Sequence, residues 1–169
     1  MLIVCGSPSK NPYAKIGLSF AKMIQKIKND KYRSKFIQNL AFGNYNKSFK
    51  KVSSINSWIC MSQKTVKEYD EDELCGFIFT ANVFQNLFKL MIDIYNEKDW
   101  CVNNKTLPIL FIAGSDDPVI INTKKWLKSQ NFLRKIGYKN KLYDGLRHEI
   151  LNEENKEEIY GDILKFIEE

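Results

Sequence analysis

LPILFIAGSDDPV (Leu107–Val119) decides the fold. A short apolar run bounded by Pro108 and Gly114 has no polar alternation. That pattern fits a strand buried on both faces, as in a parallel sheet. The polar turn SDDPV follows. The spacing then predicts a helix over Ile120–Ile136, stopped by Gly137. KNKLYDG (139–145) reads as a second short strand, GLRHEILNE (145–153) as a loop, and Glu153–Ile167 as an amphipathic helix with Ile159, Ile163, Phe166 and Ile167 inward. Strand, helix, strand, helix is a doubly wound α/β pattern.

Upstream, the chain opens with LIVCG, another short apolar run, which leaves the sheet through the turn-rich SPSKNP. No basic region precedes this run, so a strand is expected rather than a signal peptide. Helical periodicity follows. Ile16, Phe20, Ile24 and Ile27 define an apolar stripe over Tyr13–Lys28, with Lys15, Lys22, Lys26 and Lys28 mostly opposite. A helix is expected over Arg33–Phe42 with Gly43 as C-cap, a loop over Tyr45–Ser57, and a charged helix over residues 58–72. A further helix spans Thr80–Tyr95, with Phe84, Leu87, Phe88, Met91 and Ile92 on one side. The organisation expected is a first core strand and turn at 1–9, a helical cap at 10–100 and the C-terminal part of an α/β core at 101–169.

The chain has 169 residues and a net charge of +6. This charge is unevenly spread. Residues 1–67 hold 13 Lys and Arg against one acid, Asp30, whereas residues 68–169 hold 13 against 19 acids. Different surfaces facing different partners are implied. No apolar run approaches the length of a membrane span. Cys5, Cys60, Cys75 and Cys101 form no C-x-x-C pair and His148 is the sole histidine, which argues against zinc or iron–sulfur ligation. The cysteines are read as buried thiols of a cytoplasmic protein.

Ligands of such sheets sit beyond the carboxyl ends of the strands. Two polar clusters fall there: Ser115-Asp116-Asp117 and Arg147-His148-Glu149. An acid that accepts the Nδ1 proton of a histidine fixes its tautomer and frees the other nitrogen to take a proton from a nucleophile. Acid before histidine, each on a loop after a strand, is the α/β-hydrolase order. Each cluster alone has a blander reading. Asp117-Pro118 is a good helix start, and a lone histidine in a polar loop is usually just solvated.

LPILFIAGSDDPV, LYDGLRHEILNE and the closing helix, with RSKFIQNLAFGNYN (33–46) and LCGFIFTANVFQNLF (74–88) before them, resemble the end of the lysophospholipase/monoacylglycerol-lipase branch of the α/β-hydrolases (serine aminopeptidase S33-type). The resemblance implies a partial α/β-hydrolase fold: three parallel strands with flanking helices and a helical cap, the N-terminal half of the sheet being absent. In the family's G-S-x-D turn the triad acid matches Asp117, ahead of its neighbour Asp116. In G-x-R-H-E the histidine matches His148. The nucleophile belongs in G-x-S-x-G, which this sequence lacks. Cys5-Gly6-Ser7-Pro8-Ser9 comes nearest but has no final glycine, and Pro8 removes an N–H that an oxyanion hole would need.

The resemblance therefore implies part of a serine hydrolase for acyl esters such as lysophospholipids or monoacylglycerols, without metal or organic cofactor. Its expected partners are a lipid-like small-molecule substrate and an N-terminal half of the same hydrolase. The alternatives are a non-catalytic remnant, an interaction module, or one subunit of a two-chain complementing enzyme. Three strands alone leave a sheet edge open and apolar faces uncovered, so the isolated chain is expected to be marginally stable or paired. The basic helix face is open to two readings, a solvated face or peripheral contact with an anionic membrane. Nucleic acid is not expected, for want of a recognisable motif.

Overall fold

The computed structural model describes every residue except Lys51 and Val102. Lys51, within the stretch read as loop, and Val102, at the start of the expected C-terminal core, thus lie outside the described residues. Strands β1 (Leu2–Cys5), β2 (Ile109–Gly114) and β3 (Lys139–Tyr143) form one parallel sheet in that order. Leu2 is in register with Ile109, and Leu110 with Lys139. Every residue of β2 is buried, as its unbroken apolar run requires. Leu110 and Ile112 face one side, where they pack with Tyr143, Ile150, Ile159 and Phe166. Ile109, Phe111 and Ala113 face the other, with Ile120, Trp126 and Leu133.

Between β1 and β2 lie helices α1 (Ala14–Ile27), α2 (Lys35–Phe42), α3 (Gln63–Glu71) and α4 (Ala81–Asp93). Side-chain oxygens of Ser34, Ser62 and Thr80 accept from backbone N–H groups three residues on and so start α2, α3 and α4. An isolated antiparallel bridge, Arg33 to Thr80, is the sole β pairing in this region among the described residues. Gly43 is the C-cap of α2, with right-handed backbone rather than the left-handed form usual for glycine. Ala21, Ile37, Phe84 and Phe88 form a core of their own here, separate from the two sheet cores.

Several expectations need correction. Helix α1 exists, but its fully buried face is Ala14, Gly17 and Ala21; of the expected stripe Ile24 packs against the same core, whereas Ile16 and Ile27 are exposed. Small residues win because α4 packs close against this face, with Phe88 over Gly17. The single helix expected over Ile120–Ile136 is broken. Pro118–Ile120 is a 3-10 turn, Ile121 adopts φ +64°, Asn122 caps α5 (Thr123–Ser129), and Asn131–Lys135 is again 3-10. Residues 58–62 precede α3 rather than form its first turn, and α6 (Lys156–Glu168) begins after Glu153. Ile167 is exposed. Of the four thiols Cys60 alone is buried. Cys5, at the end of edge strand β1, and Cys101, before β2, are exposed, and Cys75 is intermediate.

Candidate functional site

Gly114 ends β2 and has no room for a side chain. A Cβ there would lie 2.1 Å from the carbonyl oxygen of Leu146. This close approach lets the loop after β3 cross directly over the turn after β2. The crossing is fixed by the amide of Asp116, which donates to Leu146 O at 3.0 Å, and by the Ser115 hydroxyl, which accepts from Gly145 N at 2.8 Å.

Asp117 and His148 meet at this crossing. Nδ1 of His148 lies 2.8 Å from Oδ2 of Asp117. The other oxygen, Oδ1, accepts from Val119 N at 2.8 Å. The capping role and the histidine-orienting position thus belong to one carboxylate, one oxygen each. Its side chain is fully buried, whereas the imidazole is 30% exposed. Asp116, the neighbouring acid, points to solvent.

Two more elements hold the ring. Gly6, at φ +61°, closes β1, and a Cβ there would sit 3.1 Å from Cε1 of His148. The indole of Trp58 lies 5.3 Å from the imidazole, centroid to centroid. Trp58 in turn packs on Tyr45 at 5.0 Å and on Phe42 at 6.3 Å. Burial first, and the Asp117 carboxylate second, push the Tyr45 phenol up to about 12; desolvation of the sulfur and the same carboxylate push the Cys5 thiol up to about 11, although the residue as a whole is exposed. Both stay protonated near neutrality, so Cys5 is no thiolate nucleophile here.

A cleft of about 790 Å³ opens where His148 meets the helical region. Phe42, Tyr45, Trp58, Phe79 and Met91 make it largely apolar. With Nδ1 held by Asp117, Nε2 is the nitrogen left to accept a proton from a bound group. A second apolar cavity, of about 470 Å³, lies against β1 and is lined by Leu2, Val4, Ile109, Phe111 and Leu133. Gln130 borders it with both amide atoms buried and unpartnered.

The sequence pattern picked out Asp117 and His148, but it missed Trp58 and Gly6, which lie against the imidazole. Their partners lie far away in the chain, and no local spacing signals them.

A parallel sheet covered on both faces, with an acid after one strand paired to a histidine after the next, defines an α/β-hydrolase core. This chain belongs to the family described as serine aminopeptidase, S33, which it matches over residues 3–155. Three solved structures show the same fold. A thermostable carboxyl esterase from Bacillus coagulans, in complex with glycerol, superposes with a TM-score of 0.86 at 24% identity, over 99% of this chain and 56% of the esterase. A monoacylglycerol lipase from Paleococcus ferrophilus gives 0.62 at 16%, over 97% and 56%. A soluble variant of the monoglyceride lipase of Saccharomyces cerevisiae, bound to a substrate analogue, gives 0.63 at 15%, over 92% and 50%. The chain thus spans about half the length of these proteins. No curated protein matches it.

Proposed function

We propose that this chain is the cap-and-histidine part of a serine hydrolase for carboxylic esters with lipid-like acyl groups, of the lysophospholipid or monoacylglycerol kind. Asp117 orients His148. His148 takes the proton of a serine nucleophile, then returns it to the leaving alcohol. The serine and its oxyanion hole come from a polypeptide portion outside this sequence, which contains no G-x-S-x-G. Residues of about 10–100 act as the lid over the acyl site. The observation that carries this reading is the 2.8 Å contact between Nδ1 of His148 and the fully buried Asp117 carboxylate, at the edge of an apolar cleft.

The cavity over the Leu2, Val4, Ile109 and Phe111 face of the sheet supports the view that a further packing element belongs over it. Its apolar lining and the unpartnered amide of Gln130 are what a packing neighbour would cover. Contact with lipid would be peripheral and run through the basic face of the cap. No helix among the described residues is long and apolar enough to cross a membrane.

The test is complementation. This chain is mixed with a polypeptide carrying the N-terminal half of a hydrolase of this family, including G-x-S-x-G. Hydrolysis of p-nitrophenyl esters of graded acyl length is then followed. Activity is expected in the mixture and in neither half alone, and His148→Ala abolishes it. Full activity with His148→Ala would overturn the assignment. Reading the DNA upstream of the Met1 codon decides against the second reading, a non-catalytic remnant or interaction module, if a segment encoding G-x-S-x-G lies there in frame or one base out of frame.

A further inference from the structure

The loop that carries His148 is tied to residues 57–61 of the cap by residues on both sides of His148 in the chain. On one side, Nη1 of Arg147 donates to the carbonyl oxygens of Ser57 and, at 3.0 Å, of Cys60. Between them, the amide of Glu149 donates to Ile59 O at 2.7 Å. On the other side stands Glu153, only 2% exposed. Its Oε1 accepts from Met61 N at 3.0 Å and from Arg147 N at 3.2 Å. Its Oε2 accepts from Met61 N at 3.0 Å and from the Cys60 thiol at 3.1 Å. The carboxylate forms no ion pair among the described residues.

A buried carboxylate without a counter-charge is an expensive way to fill space; an apolar side chain would cost less. What it supplies instead is a fixed position. Its donors come from two segments far apart in the chain, Cys60–Met61 and Arg147. Trp58 lies in the chain between Ser57 and Cys60, which Arg147 holds, and its indole packs tilted against the His148 ring. The seat of the cap loop therefore sets the indole, and the indole walls the imidazole.

We infer that Glu153 is a positioning residue. Its carboxylate latches residues 57–61 onto the histidine loop, so that His148 is aligned only when this part of the cap is seated. The functional weight of this inference rests on the reading of His148 as general base, but its geometry can be tested apart from it.

Glu153→Gln is the isosteric test. Whichever way the amide turns, its NH2 replaces an oxygen that accepts from Met61 N, so at least one N–H faces another donor. The experiment is NMR on the full chain, where the single histidine gives a single set of ring signals. The variant is expected to melt cooperatively, with the Met61 and Glu149 amides exchanging about tenfold faster or more. The His148 ring protons should move toward their positions in a Trp58→Leu variant as the indole's ring current is lost. Glu154→Gln, on the exposed neighbouring residue, should change none of these signals. A folded Glu153→Gln chain with unchanged His148 signals would reduce Glu153 to ordinary structural support. Should that variant fail to fold, Arg147→Lys is read the same way, because it keeps the charge and loses the fork to Ser57 and Cys60. In the unaltered chain, the latch requires Met61 and Glu149 to exchange through one common opening; clearly different opening free energies, after correction for each amide's intrinsic rate, would overturn it. Failure of complementation would leave all these signals as they are, so the two ideas fail separately.

Discussion

Asp117→Asn changes one atom of a buried carboxylate whose two oxygens have different tasks. Oδ1 accepts from Val119 N and Oδ2 from His148 Nδ1, each at 2.8 Å. Asparagine keeps a single acceptor. With its oxygen on Val119, its NH2 faces Nδ1, which must then accept, and the ring proton moves to Nε2. With its oxygen on His148, the tautomer is kept, but the NH2 confronts the Val119 N–H. A buried donor left unsatisfied costs about 1–3 kcal/mol. This favours the first arrangement by roughly 5- to 150-fold. Most of the neutral His148, on the order of 85–99%, should therefore carry its proton on Nε2, the nitrogen that needs to be free. Long-range ¹H–¹⁵N correlation on the isolated chain reads the tautomer directly, without interference from another histidine. The unaltered chain should show Nδ1–H. In a complemented hydrolase the same variant should lose about 10⁴-fold in rate, the loss that such tautomer trapping causes in serine proteases. If the Asp117→Asn variant still holds its neutral-ring proton on Nδ1, Asp117 does not set the tautomer, and the acid–histidine reasoning is refuted.

Three other outcomes are expected. Gly114→Ala puts a Cβ 2.1 Å from Leu146 O and 2.4 Å from Arg147 O, so backbone must move; urea denaturation should show a loss of about 1–3 kcal/mol or more, and a change below about 0.5 kcal/mol would contradict the crossing. Burial, then its hydrogen bond to Glu153, pushes the Cys60 thiol up to about 12; mass-mapped alkylation at pH 8 should modify exposed Cys101 first and reach Cys60 only on unfolding. The Lys141 ammonium, first, and the Tyr143 hydroxyl hold the Asp162 carboxyl below the usual carboxylate range. Its stabilisation is present above about pH 4 and fades as pH falls through the lowered value; because Lys141 is well exposed, Asp162→Asn should cost less than about 1 kcal/mol at pH 7 and nothing at the acid end of the same melts.

The parts of the fold legible in the sequence are those set by neighbours along the chain. The unbroken apolar run of β2 forecast burial on both faces, and the caps at Ser34 and Thr80 lie close to the expected helix starts. The acid and histidine were legible because each follows a strand, and the sheet brings such loops together. What failed was decided by distant contacts. Residues 58–61 carry helix-compatible spacing, yet Arg147 and Glu153 draw their backbone groups out of the helix. Glu153 reads as a first-turn helix residue, yet it is buried for donors some ninety residues away. The break at Ile121–Asn122 had a local signal, an asparagine able to cap onto Lys125 N, hidden within an otherwise helical pattern.

The pairing of β1 with β2 joins Leu2 to Ile109 across nearly the whole helical region. Closing a flexible loop of about a hundred residues is entropically costly and slow. The helices between them shorten it. Ala81 N donates to Tyr32 O where α1 has ended and α4 begins, so the two helices run antiparallel. Their far ends, near Tyr13 and Asp93, then lie close together, and the Tyr95 hydroxyl donates to Pro8 O at that junction. Once this layer has formed, the effective distance along the chain from β1 to β2 falls to a few tens of residues. The region that hangs over the cleft in the finished molecule is thus also its assembly clasp. Its prior folding lowers the closure cost of the sheet by about 1 kcal/mol, and changes to its core, such as at Phe84 or Phe88, are expected to appear as slower folding.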